Sequence, residues 1–125
     1  MTKPLAMVAY GNILLGSQLV NRLVDLGYRV LTIADLNTLA AQAADEKPLL
    51  LILDLSASQN GNPLDVIQMI RSSETTTHLP ILAVTQKTDP TFHGNLQKAG
   101  VTLVAIDSAV IQQLPHLLDQ VLSLE

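Results

Sequence analysis

Three oxygen-bearing side chains stand where short apolar runs end. Asp54 follows Leu49 to Leu53, Thr85 closes Pro80 to Thr85, and Asp107 follows Val101 to Ile106. Two carboxylates and a hydroxyl brought together form a candidate site for a hard cation, which takes oxygen ligands. The competing reading is two solvated acids and a β-branched residue finishing a strand. Another strand end carries a different chemistry. Gly11 and Gly16-Ser17 bracket a turn whose backbone N–H groups would cradle an anion, but the Lys that reaches the phosphates of a P-loop is missing. Gly11 and Gly16 also stand at the first and third glycine positions of a dinucleotide fingerprint, with Asp35 downstream at the ribose position. Ile13 takes the middle position and would block a pyrophosphate. A tight strand-to-helix turn explains the same residues. Nucleotide or small-anion binding at the Gly11–Gly16 turn stays as an alternative.

Other chemistries find no support. His78, His93 and His116 lack metal-ligand spacing, so no metal site is expected from them. There is no cysteine, which removes disulfides, thiolate metal sites and a cysteine nucleophile together. No serine has a nucleophile-elbow context, and no hydrolase or other enzyme activity is expected.

The chain has 125 residues, 48% of them hydrophobic, which suits one domain spanning 1–125 with a core of its own. The net charge is −4, and the basic residues are scattered rather than striped. Tyr10, Tyr28 and Phe92 are the only aromatics. Nucleic-acid binding needs a basic stripe or a stacking platform, so it is not expected. Nor is a membrane span, which needs about twenty apolar residues. A cytoplasmic protein is the expectation.

Candidate elements alternate along the chain. Leu5 to Tyr10 is a continuous apolar run of strand length, and Tyr28 to Ala34, Leu49 to Leu53, Pro80 to Thr85 and Val101 to Ile106 are the further candidate strands. Between them lie segments of helical period. The first runs from an Asn12 cap through Leu15, Leu19, Leu23 and Leu26 to Gly27. The second, Leu36 to Ala44, takes Asp35 or Asn37 as its cap. A polar loop over Ser56 to Asn62 leads to Pro63, which opens the third. Asp89-Pro90 opens the fourth and Gly100 ends it. Ser108 caps the fifth, whose expected face is Ile111, Leu114, Leu118 and Val121. Five βα units imply an α/β fold: a five-stranded parallel sheet flanked by five helices, in the flavodoxin-like order 2-1-3-4-5. Its site belongs at the C-terminal strand ends, namely Tyr10-Gly11, Asp35, Asp54, Thr85 and Asp107.

In that order the segments resemble the receiver domains of bacterial response regulators. The resemblance rests on Leu26-Gly-Tyr-Arg-Val30, Leu51-Ile-Leu-Asp-Leu55, Asp65-Val-Ile-Gln-Met-Ile-Arg71, Leu79-Pro-Ile-Leu-Ala-Val-Thr85 and Lys98-Ala-Gly100. It implies a module of two-component signalling or phosphorelay, with Asp54 at the phosphoacceptor position and Thr85 at the position that hydrogen-bonds the phosphoryl group. It also implies an acid pair for Mg²⁺ near Tyr10 and Gly11, a Lys at position 107 and a switch aromatic near position 104. This chain has Tyr10, Gly11, Asp107 and Val104 there. Ser56-Ala-Ser58 replaces the usual Met-Pro in a loop one residue longer.

The expected function is therefore a pseudo-receiver that acts by protein–protein interaction, with no phosphorylation of Asp54 and no cofactor. The alternative is a phosphorylatable receiver using Asp54 with Mg²⁺. The resemblance implies a protein partner, such as a histidine kinase or an output protein, or a homodimer. It places the interface on the fourth helix, fifth strand and fifth helix, where Phe92, Val104, Val110 and Leu117 are candidates for exposed apolar contacts.

Overall fold

Strands β1 (Leu5–Ala9), β3 (Leu50–Asp54) and β4 (Ile81–Thr85) are buried at every position. Their unbroken apolar runs are what a parallel strand covered on both faces requires. A computed structural model, describing residues 3–56, 62–86 and 89–123, sets them at the centre of one parallel sheet ordered β2-β1-β3-β4-β5. Edge strands β2 (Arg29–Ile33) and β5 (Leu103–Ile106) are only partly buried. The expected order is the observed one.

Alternation along each strand divides the core in two. Met7, Ala9, Leu51, Leu53, Ile81 and Ala83 face α2 (Leu39–Glu46), α3 (Pro63–Ser72) and α4 (Pro90–Ala99), packing with Leu39, Ile67, Ile70 and Leu96. Ala6, Val8, Leu50, Ile52, Leu82 and Val84 face α1 (Ile13–Asp25) and α5 (Asp107–Ser123), packing with Leu19, Leu23, Leu114 and Val121.

Local side chains fix the helix starts. Asn12 accepts from the Leu15 N–H, Asn62 from Leu64 and Asp89 from Thr91, with Pro63 and Pro90 in the first turns of α3 and α4. Asp35 caps a single 3₁₀ turn (Leu36–Thr38), and α2 begins only at Leu39. The last helix also differs from expectation. It starts at Asp107, directly after β5, with no separate Ser108 cap. Of the loop expected over 56–62, residues 57–61 lie outside the described residues.

Arg71 pins the far end of α3. Its Nε donates to Gly100 O at 2.8 Å, Nη1 to Thr77 O at 2.9 Å and Nη2 to Thr102 Oγ1 at 3.3 Å. Thr102 Oγ1 also accepts the Ile81 N–H, so one fork ties α3 to the entries of β4 and β5.

Candidate functional site

Asp54 ends β3 and Thr85 ends β4, while Asp107 follows β5 as the first residue of α5. The strand registers bring these ends to one rim, with Asp54 opposite Val84 and Thr85 opposite Ile106. The three side chains line one cavity of about 230 Å³, together with Asn12, Leu55, Ser56, Gln86 and Phe92. No Lys or Arg lines it among the described residues.

The Asp54 carboxylate is 3% exposed and heavily engaged. Its Oδ2 accepts from the N–H groups of Gly11 (3.1 Å) and Asn12 (3.2 Å) and from the Ser56 hydroxyl (2.7 Å). Its Oδ1 accepts from the Ser56 N–H at 3.0 Å. Neither Asn12 nor Ser56 was a candidate from sequence. The Asp-x-Ser spacing of an Asx turn is the signal that would have found Ser56. No local signal points to the amides, which lie 43 and 42 residues away in the chain.

Tyr10 and Gly11 do not join this cavity. They line a separate one of about 190 Å³ beside Thr32 and Ile33 of β2, and only the Gly11 amide reaches Asp54. The Tyr10 ring instead covers Gly16, where an added Cβ would overlap ring atoms. Four of the N–H donors at the Gly11–Gly16 turn are engaged. Gly11 and Asn12 donate to Asp54, Leu15 to Asn12 Oδ1 and Gly16 to Asn12 O. Asp35, the candidate ribose acid, accepts from the Asn37 N–H through Oδ1.

The proposed apolar interface needs correction. Val110 and Leu117 are buried in the α1–α5 side of the core. Helix α5 turns Val110, Leu114, Leu117, Leu118 and Val121 inward, whereas Ile111 is only partly buried. Leu114, Leu118 and Val121 of the expected face do point inward, and Val110 and Leu117 widen that face, which leaves Ile111 at its margin. Phe92 and Val104 are partly buried against the opposite core, and Phe92 also lines the Asp54 cavity. The large apolar side chains exposed to solvent lie elsewhere, with Ile13 76% and Leu14 69% exposed at the start of α1.

Among the described residues, no three His, Cys, Asp or Glu side chains gather as a metal site. The acidity of Tyr28 is shifted. Burial, and then the charge of Asp119 on α5, push its phenol above its usual value. No helix among the described residues is long and apolar enough to cross a membrane.

No protein-family profile matches the chain, and no curated protein matches it. Solved structures do. A putative response regulator from Chloroflexus aurantiacus superposes with a TM-score of 0.88 at 20% identity, covering 98% of this chain and 99% of that one. A chemotaxis response regulator of Vibrio cholerae gives 0.86 at 22% identity, covering 96% and 99%. The receiver domain of a Pseudomonas aeruginosa sensor histidine kinase gives 0.86 at 19% identity, covering 98% and 99%, and that domain holds magnesium in its active-site cleft. This chain has the receiver fold.

Magnesium does not fit the residues of this receiver fold. Tyr10 and Gly11 supply no carboxylate, and Asp54 Oδ2 already takes three donors. A hard divalent ion needs several oxygens, and ordinary acceptor capacity leaves little of that oxygen to give.

Proposed function

We propose that the chain is a receiver-like signal-transduction module that works by binding another protein, without phosphorylation of Asp54. The observation that carries this reading is the charge of the cavity. Asp54 and Asp107 both line it, and among the described residues no cation does. Phosphoryl transfer depends on positive groups that neutralise charge on the transferred oxygens. Here a phosphoryl group would meet a second carboxylate. The resemblance to receiver folds supports a cytoplasmic partner such as a histidine kinase or output protein, with a second copy of the chain as another. Phe92 on α4 and Val104 on β5 are partly buried apolar residues of the face that such a partner would use. A binding module of this kind needs no catalytic group.

The competing reading is a phosphorylatable receiver, favoured by Asp54 and Thr85 lining one cavity. Incubation with acetyl phosphate and Mg²⁺, followed by intact-mass spectrometry, separates the two. The expected result is an unmodified chain and no Mg²⁺-dependent binding of beryllofluoride. A stoichiometric adduct mapped to Asp54 would overturn the proposal and select its competitor.

A further inference from the structure

Two turns at the mouth of the sheet meet on a single carboxylate. Gly11 and Asn12 belong to the turn between β1 and α1, and Ser56 to the turn leaving β3. An Asx turn alone would use only the bond from Ser56 N–H to Asp54 Oδ1. The other oxygen reaches across to the first turn and holds both of its amides, with the Ser56 hydroxyl as third donor at 2.7 Å. Hydrogen bonds to an ionised acceptor are roughly twice as strong as neutral ones. N–H groups left without their acceptor lose that stabilisation and carry the cost of an unmet donor.

We infer that Asp54 is a permanent structural tie between the β1–α1 and β3–α3 turns, that Ser56 positions it, and that this tie stands where a magnesium ion does not fit. The carboxylate is held from both sides of the rim. Esterifying either oxygen would remove the charge that four donors share. The tie is read from stability and amide exchange in the unmodified chain and the proposed function from an adduct on Asp54, so the two failures are distinguishable.

The test uses the whole chain with Asp54→Asn and Ser56→Ala. Asp54→Asn keeps the shape, but its amide NH₂ must face at least one present donor. Its thermal midpoint should fall by roughly 5–15 °C, and that of Ser56→Ala by less. Backbone amide exchange followed by NMR reads the tie directly. The Gly11 and Asn12 amides should be protected in the parent chain, which needs no variant to fold. They should exchange faster in Ser56→Ala. Millimolar Mg²⁺ should leave the parent's midpoint unchanged. Unprotected Gly11 and Asn12 amides in the parent would overturn the inference. So would an Asp54→Asn midpoint equal to the parent's, or a rise with Mg²⁺ that Asp54→Asn abolishes.

Discussion

The ring of Tyr10 lies over Gly16, so close that a Cβ on residue 16 would overlap the ring's Cγ and Cδ2. Tyr10 follows β1, and Gly16 sits in the first turns of α1. The glycine therefore lets a strand end fold back on the helix that follows it.

Gly16→Ala sets two effects against each other. Alanine gains about 1 kcal/mol of helix propensity over glycine. Overpacking costs roughly 1–3 kcal/mol, and the clash falls near the root of the ring, where rotation relieves little. The expected net is a loss of roughly 0–2 kcal/mol in urea denaturation. In a Tyr10→Ala background the same change should be neutral or stabilising. A stabilised single variant would show that the ring does not pack there.

Gly100 is needed twice. Its φ of 118° is left-handed, and a Cβ would stand 2.7 Å from Arg71 Cγ. Gly100→Ala should cost roughly 1–3 kcal/mol. Arg71→Ala should cost a similar amount, because the carbonyls of Gly100 and Thr77 lose their donors. The two changes share one contact, so the double variant should lose less than their sum. Simple additivity in a denaturation cycle would show the sites to be uncoupled.

The margin of the inward face of α5 is open to the same measurement. Leu114 is fully buried and Ile111 only partly so. Leu114→Ala should cost roughly 2–5 kcal/mol, and Ile111→Ala clearly less. The reverse order would contradict the inward face that α5 shows.

Tyr28 gives a dependence on alkaline pH. Burial first, then Asp119, raises its pKa above the ordinary value near 10. The folded chain thus holds the phenolic proton more tightly than the unfolded chain does. Stability from this group is complete below about pH 10 and is lost as pH rises through the folded value. In a Tyr10→Phe background, where Tyr28 is the remaining tyrosine, phenolate absorbance should appear later than in a denatured sample. Asp119→Asn should bring it earlier. Coincident folded and denatured titrations would contradict the shift.

The amino-acid sequence by itself determined the five strands, their parallel order and most helix starts. Those features are written in local terms. Strands such as Leu50–Asp54 are apolar up to their last residue, and Asn12 and Asp89 cap helices by bonding amides two or three residues on. Sequence order and crossover handedness also sufficed to bring Asp54, Thr85 and Asp107 to one cavity. Only the tertiary structure decided what Asp54 does there. Its partners at Gly11 and Asn12 are backbone amides, which carry no side-chain identity for a sequence to display. It likewise decided that Tyr10 turns away to Gly16, and that Val110 and Leu117 face inward. The spacing of Leu114, Leu118 and Val121 marks the centre of the inward face of α5, but how far that face extends to each side is set by the packing of α5 against the sheet and α1.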